Sequence, residues 1–185
     1  AQWEAKLSED LMRAIRACPK PVIAAINGAC AGIGMVQALM CDVRFAAAGA
    51  KFTTAFARRG LIAEYGMSWL LPRLVGTANA LDVLLSGRVF LAEEAHQMGM
   101  VNGVVPADQL LAHAVAYASD LAANVSPTSM KVMKQQVYAD TTAAITESEQ
   151  RALVLMKESL TRADFKEGVA SFMEKRPPQF APVTR

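Results

Sequence analysis

The 185-residue sequence contains few of the residues that build metal centres and disulfide frameworks, with three cysteines and two histidines in all. Cys18, Cys30 and Cys41 have neither the spacing of metal ligands nor an even count, so we expect them to behave as small apolar groups. His96 and His113 have no partner at catalytic-triad or metal-ligand spacing, which favours surface or structural roles. This cysteine usage predicts a reducing, cytoplasmic compartment and no metal.

An excess of one charge and a long apolar run are also missing. Lys and Arg total 19 against 17 for Asp and Glu, and no basic stretch is interleaved with aromatic residues, so we expect no nucleic-acid partner. No apolar run reaches the length that spans a bilayer, so we expect no membrane partner. The hydrophobic share of 53% excludes a disordered chain and predicts a globular one with a sizeable core.

The segment from Pro21 to Asp42 combines an apolar run, a glycine-rich loop and a helix start without a spacer. Residues 22–26 predict a strand buried on both faces, and Asn27-Gly28 predicts a turn. Glycines at 28, 32 and 34 allow backbone to approach a ligand closely, and a helix starting near Gly34 would present unpaired N–H groups there. The segment predicts a site that accepts negative charge, although a loop that only packs a helix on a strand would also fit.

Strand and helix patterns alternate up to Pro106, and amphipathic helical patterns follow it. This order predicts an α/β fold with a layered core and a helical tail. The predicted boundaries are 1–106 for the α/β core and 107–185 for the helical region. Because the helices after Pro106 have many apolar positions, we also expect self-association.

Four segments together resemble the enoyl-CoA hydratase/isomerase (crotonase) superfamily. They are PKPVIAAINGACAGIGMVQALMCDVRFA, WLLPRLVG, LSGRVFLAEEAHQMGMVNGVVP and FKEGVASFMEKRPPQF. The resemblance implies a spiral of ββα turns, partial in residues 1–106, and a C-terminal helical region that serves oligomerisation and CoA binding. It also implies an acyl-CoA substrate, no cofactor beyond the coenzyme A of that substrate, and a homo-oligomer, either a trimer or a dimer of trimers.

The resemblance places half of an oxyanion hole at the glycine loop. The backbone N–H of Ile33 takes the position of one of two donors to the thioester oxygen, and Gly32 and Gly34 permit the close approach. Family members have a long segment before the first helix of this sequence, and it supplies the other donor. We therefore expect the sequence to be N-terminally truncated, as a fragment, a proteolytic product or an incompletely read chain.

The two glutamates of familiar hydratases are replaced by Val36 and Phe56, neither of which transfers a proton. Glu64 instead resembles the single base of one group of Δ3,Δ2-enoyl-CoA isomerases, which predicts double-bond isomerisation. A hydratase using Glu64 with water, and a catalytically silent acyl-CoA-binding or scaffold protein, are the alternatives. A solvated loop carboxylate is the simpler interpretation of Glu64.

The remaining candidates concern substrate binding. Val36, Phe56 and Trp69 are expected to form an apolar wall beside Glu64. By resemblance Phe172 and Lys175 reach the CoA moiety, although a core aromatic and an exposed lysine would fit as well. Arg58 and Arg59 could approach the CoA phosphates or form a solvated pair.

Overall fold

The computed structural model describes residues 12–183, and the first part of this range alternates short strands with helices. Residues 12–17 form helix α1, and the loop before the third helix contains a short 3₁₀ helix, Ala57–Arg59. The remaining elements are β1 (Ile23–Ile26), β2 (Cys30–Ala31), α2 (Ile33–Met40), β3 (Val43–Ala47), β4 (Lys51–Thr53), α3 (Met67–Ser86), β5 (Phe90–Leu91), α4 (Ala92–Gln97) and β6 (Gly103–Val105).

The strands divide between two sheets in a way that produces a spiral. One sheet has the order β1-β3-β6 with parallel pairing, and the other has the order β2-β4-β5. In the second sheet β2 and β4 are parallel, whereas β4 and β5 are antiparallel. The first two turns of the chain each add one strand to each sheet and then a helix, whereas in the third turn α4 stands between β5 of the second sheet and β6 of the first. This arrangement confirms the predicted α/β class.

Two polar residues join the elements that surround the glycine loop. The N–H of Val22 donates to Asp42 Oδ2 at 2.7 Å, and the N–H of Asp42 donates to the Val22 carbonyl at 2.9 Å. Arg44 is buried, and its guanidinium donates to the carbonyls of Met100 at 2.7 Å and Cys41 at 2.5 Å. These bonds hold the C-terminal end of α2 against β3 and the segment before β6.

The core lies between the two sheets and the helices that follow each pair of strands. Helix α3 supplies much of it, although its non-helical Gly76 (φ 77°, ψ 160°) divides it into two parts. The largest fully buried side chains are Phe52, Met35, Leu39, Met67, Leu71, Met100, Val36, Val83 and Thr54.

Strand β1 is less buried than its apolar sequence predicts. Ile26 is buried, Ile23 and Ala24 are half-buried, and Ala25 is exposed. The strand lies at an edge of its sheet and borders an open cleft of about 310 Å³. The predicted burial of both faces is therefore wrong for the described residues, because an apolar run does not show what covers it.

A group of helices forms a second compact unit, residues 116–183 with 19–21, and it is described here by itself. Ser126 caps the helix that spans Pro127–Asp140, because its side chain accepts from the N–H of Ser129 at 3.0 Å. No helix in residues 12–183 is both long and apolar enough to cross a membrane. The predicted division at residue 106 stays a prediction. The helices are α5 (Leu110–Asn124), whose first residues belong to the first unit, α6 (Pro127–Asp140), α7 (Ile145–Thr161) and α8 (Ala163–Glu174).

Candidate active site

A cavity of about 250 Å³ lies where the start of α2 meets the loop that follows β4. Four of the residues predicted for the site border it, namely Gly32, Ile33, Phe56 and Glu64. The full lining consists of Ala31, Gly32, Ile33, Thr54, Ala55, Phe56, Arg59, Leu61 and Glu64. The fold thus brings the glycine loop and the glutamate, which are about thirty residues apart in sequence, to one cavity.

The start of α2 presents backbone donors at this cavity. Gly32 has φ 49° and ψ −122°, a conformation that residues with a Cβ rarely adopt. Its N–H donates to the Thr53 carbonyl at 3.2 Å, and its carbonyl accepts from the N–H of Val36 at 3.1 Å. The N–H of Ile33, the first helical residue, has no acceptor among the described residues. This first-turn amide is therefore available to an oxygen that carries negative charge.

The loop after β4 is fixed by two threonine hydroxyls. Thr54 is fully buried, and its hydroxyl donates to the Val83 carbonyl at 2.8 Å. The Thr53 hydroxyl donates to the Gly87 carbonyl at 3.0 Å and accepts from the N–H of Ala55 at 3.1 Å. Ala55 has φ 60°, so these bonds hold a left-handed backbone at a residue that is not glycine.

Glu64 lies on the segment between the 3₁₀ helix and α3. Its backbone carbonyl accepts from the N–H of Met67 at 3.0 Å, and the next two residues, Tyr65 and Gly66, have φ values of 52° and 76°. The side chain is half-buried, and no hydrogen bond or ion pair joins its carboxylate to another residue in the range 12–183. The carboxylate is thus available for proton transfer to a bound molecule.

Two neighbouring arginines have different surroundings. Arg59 lines the cavity, and its guanidinium donates from Nη1 to the carbonyl of Ala55, another lining residue, at 3.2 Å. Arg58 donates from Nε to the Ser86 carbonyl at 2.9 Å and is not among the lining residues. Each hydrogen bond to a backbone carbonyl fixes one arginine side chain. Of the two arginines, only Arg59 therefore belongs to the cavity.

Several predicted residues lie outside this cavity. Val36 is fully buried in the core, and Gly34 borders the separate cleft beside β1. Trp69 is half-buried, with Arg73 Cζ at 4.1 Å and Arg16 Cζ at 5.1 Å from its ring centroid. Val36 and Trp69 do not line the cavity, so of the expected apolar wall only Phe56 borders it. Their roles stay predictions.

The two predicted CoA-binding residues belong to the second unit. Phe172 is 82% exposed, and Lys175 follows α8 with φ 53°. Exposure of this size is inconsistent with the simpler interpretation of Phe172 as a core aromatic of its unit. A role of either residue in CoA binding stays a prediction.

The other titratable groups named from the sequence lie elsewhere. His113 packs edge-on against Phe45 at 4.6 Å between ring centroids, and His96 Nδ1 lies 3.1 Å from the Val101 carbonyl. Burial raises the pKa of the Cys30 thiol to about 11, so this thiol stays protonated at neutral pH. Among residues 12–183 no three His, Cys, Asp or Glu side chains form a group able to hold a metal ion. The expected lack of a metal or separate cofactor stays a prediction.

Sequence reasoning did not identify four of the residues that line the cavity as site residues: Ala31, Thr54, Ala55 and Leu61. Residues 56–65 have no clean helical or strand period, so a side chain such as that of Leu61 could not be assigned to a face. The Thr53-Thr54 pair was a usable signal, because threonines at a strand end often bond to nearby backbone. The left-handed backbone of Ala55 gave no signal at all.

Comparison with known proteins gives consistent matches. The family model for Enoyl-CoA hydratase/isomerase matches residues 2–182. The chain is 41% identical over 172 residues to a probable enoyl-CoA hydratase of Rhodobacter capsulatus, covering 93% of this chain and 66% of that protein. It is 39% identical over 171 residues to 1,2-epoxyphenylacetyl-CoA isomerase of Escherichia coli, covering 92% and 64%. The chain thus spans slightly less than two thirds of the length of these curated relatives.

A solved structure matches the fold closely. The crystal structure of enoyl-CoA hydratase from Bacillus anthracis aligns with a TM-score of 0.92 at 30% sequence identity, covering 97% of this chain and 69% of that chain. This agreement confirms the crotonase-like ββα spiral that the four sequence segments implied.

Proposed function

The chain belongs to the enoyl-CoA hydratase/isomerase family, and from that premise we propose that its Glu64 cavity binds the acyl group of an acyl-CoA thioester and shifts a carbon–carbon double bond. One observation carries the proposal: among the described residues that line the cavity Glu64 is the single carboxylate, and the start of α2 borders the same cavity. One proton-transfer group and one charge-stabilising group are what a double-bond shift requires.

The reaction balances with the groups present. The Glu64 carboxylate takes a proton from C2 of a 3-enoyl thioester, and the electron pair passes into the conjugated system and the thioester oxygen. The Ile33 N–H donates to that oxygen while it carries the negative charge of the dienolate. The Glu64 carboxylic acid then returns the proton at C4, which gives the 2-enoyl thioester and the original carboxylate. No water is consumed, and no redox change occurs.

The size of the cavity fits this assignment. Its volume of about 250 Å³ lies just below the roughly 300–1,000 Å³ typical of pockets for whole drug-sized ligands. It therefore suits an acyl group better than an entire CoA ester. Phe56 is an apolar residue of the cavity wall, where a hydrocarbon chain would contact it.

Hydration is the second candidate function, favoured by the name of the Rhodobacter capsulatus relative. In that mechanism Glu64 would activate a water that adds to a 2-enoyl thioester. The half-buried Glu64 side chain is compatible with a bound water, but Val36 and Phe56 leave no second carboxylate to hold it. We therefore rank isomerisation first, and a silent acyl-CoA-binding protein is the third outcome that the assays below separate.

We further propose acyl-CoA as the partner molecule and a homo-oligomer, a trimer or a dimer of trimers, as the assembled form. Apolar side chains on α6 and α7 support self-association, because they are exposed within this chain: Met133, Val137, Ile145, Leu153, Val154, Met156 and Leu160. In the same assembly Phe172 and Lys175 would contact the CoA moiety. Sedimentation velocity would test this, and a monomer at micromolar concentration would contradict it.

Glu64→Gln tests the catalytic assignment. The variant retains the size of the side chain but cannot accept the C2 proton, so kcat for a 3-enoyl-CoA should fall roughly 10²–10⁴-fold. Glu149→Gln is the matched control, because Glu149 is an exposed glutamate on α7. Hydration of a 2-enoyl-CoA is measured in parallel. Isomerisation that persists in Glu64→Gln would refute the role of Glu64, and binding without either reaction would identify the silent protein.

A further inference from the structure

Within residues 12–183, Arg59 is the single cationic residue that lines the cavity. Its Nη1 donates to the Ala55 carbonyl at 3.2 Å, and within residues 12–183 the side chain makes no other hydrogen bond and no ion pair. Because Ala55 also lines the cavity, this bond keeps the guanidinium next to a residue of the cavity wall. Most of its N–H donors therefore remain available to a molecule bound there.

A guanidinium at this wall is unfavourable for a plain hydrocarbon chain. An alkyl group that fills the cavity would displace water from Arg59 without replacing the hydrogen bonds, and unpaired donors of a charged group are costly. An acyl chain with an oxygen acceptor at its far end would instead restore those bonds. A carboxylate is the strongest such acceptor, because it matches the planar donor face of arginine.

The opposite charges of Arg59 and Glu64 also give the substrate a direction. A terminal carboxylate is attracted to Arg59 and repelled by Glu64, which lines the same cavity. When the terminal carboxylate binds Arg59, the reacting carbons lie near Glu64 and the thioester oxygen lies near the Ile33 N–H. The CoA phosphates are separated from the thioester by the pantetheine arm, so a residue that lines the acyl cavity is poorly placed to reach them.

We propose that Arg59 is a specificity-determining residue that selects CoA thioesters whose acyl chain ends in a carboxylate over those that end in a methyl group. The proposal rests on the proposed function, because it assumes that this cavity receives the acyl group.

The test compares two substrates of equal length in two matched variants. The substrates are hex-3-enoyl-CoA and the mono-CoA thioester of hex-3-enedioic acid. The variants are Arg59→Gln and Arg58→Gln, which remove the same charge from adjacent residues, while the Arg58 guanidinium is bound to Ser86 and does not line the cavity. Arg59→Lys retains the charge but loses the planar donor face.

The wild type should prefer the carboxylate substrate in kcat/KM, and Arg59→Gln should lower the preference about tenfold, a value reduced for the solvent exposure of Arg59. Arg58→Gln should leave the preference unchanged, and Arg59→Lys should retain part of it. The wild-type preference should also decrease as salt concentration rises. The preference is the ratio of the kcat/KM values for the two substrates, so a variant that contains less active protein still gives the same ratio.

Binding of saturated analogues separates this proposal from the catalytic one. Calorimetry with hexanoyl-CoA and the mono-CoA thioester of hexanedioic acid needs no turnover. If the wild type turns over neither enoyl substrate but binds the carboxylate analogue more tightly through Arg59, the catalytic proposal fails and the selectivity stands. If Arg59→Gln leaves both preferences unchanged, the selectivity is overturned. Equal weakening of both thioesters and of free CoA would show a phosphate contact and would also overturn it.

Discussion

Replacing Ile33 by proline removes one N–H group from the start of α2 while leaving the helix able to form. Ile33 is the first helical residue, where proline is favourable because its fixed φ suits the helix and the missing N–H would be unpaired anyway. The N–H of Ile33 has no acceptor among the described residues, so no described hydrogen bond is lost. Gly32 has ψ −122°, outside the α region that proline disfavours in the preceding residue.

The structure sets separate magnitudes for stability and for rate. The Ile33 side chain is 39% exposed, so its removal should lower the free energy of unfolding by about 1–2 kcal/mol, a fraction of the value for a fully buried side chain. Ile33→Ala should show the same loss and is therefore the matched control. Only the proline variant loses the donor, which should lower kcat about 10²–10³-fold, or roughly 2.7–4 kcal/mol of transition-state stabilisation.

The assay measures isomerisation of a 3-enoyl-CoA under saturating conditions, with urea unfolding of each variant alongside. We expect similar unfolding midpoints for Ile33→Pro and Ile33→Ala, and a large difference in kcat. Equal kcat values in the two variants would refute the assignment of the Ile33 amide to the thioester oxygen. A proline variant that unfolds far more easily than the alanine variant would show that this amide has a structural acceptor.

Three further predictions concern stability. Gly32→Ala should lower the free energy of unfolding by about 1–3 kcal/mol because of its φ of 49°, whereas Gly34→Ala, with no atom within 4 Å of the new Cβ, should leave it unchanged or raise it by up to about 1 kcal/mol. Equal changes in the free energy of urea unfolding for Gly32→Ala and Gly34→Ala would contradict this difference. Arg44→Met should cost about 2–4 kcal/mol because buried carbonyls lose a charged donor, and a loss below about 1 kcal/mol would refute that account. Arg176 lowers the pKa of Glu167 to about 2, so the stabilisation is complete above the usual carboxyl pKa near 4.5 and is lost as pH falls through about 2. The thermal unfolding temperature should decline less steeply between pH 4.5 and about 2 in Glu167→Gln than in the wild type. Parallel plots of unfolding temperature against pH for the two proteins would show that the Glu167–Arg176 pair does not contribute to stability.

The glycine loop could be found in the sequence because its features are local, whereas Glu64 is identified only by the resemblance to the family. The spacing of glycines at 28, 32 and 34 indicates a backbone that can approach a ligand closely. Such features depend on a few neighbouring residues and on the hydrogen bonds of the backbone. They can therefore be interpreted before the tertiary structure is known.

The surroundings of the site could not be predicted in the same way. Val36 occupies a position expected at the cavity, yet it packs in the core, because a position in a motif does not determine which face of a helix meets which layer. The separate environments of Arg58 and Arg59 depend on the 3₁₀ turn and on carbonyls from distant segments. The open cleft beside β1 likewise depends on what packs there, and the sequence contains no direct signal for that.

The residues around Glu64 are bounded at both ends by glycines with left-handed backbone, Gly60 at φ 71° and Gly66 at φ 76°. Gly60 ends the 3₁₀ helix, and Gly66 directly precedes α3, so both ends of the segment are attached to fixed elements. The proposed oxyanion donor, the Ile33 N–H, lies on a different element, α2. The proposed proton-transfer group is thus carried by a short segment, residues 61–65, that could be exchanged as a cassette. Grafting this cassette from other members of the family onto a constant scaffold offers a direct route to new reaction outcomes by protein engineering.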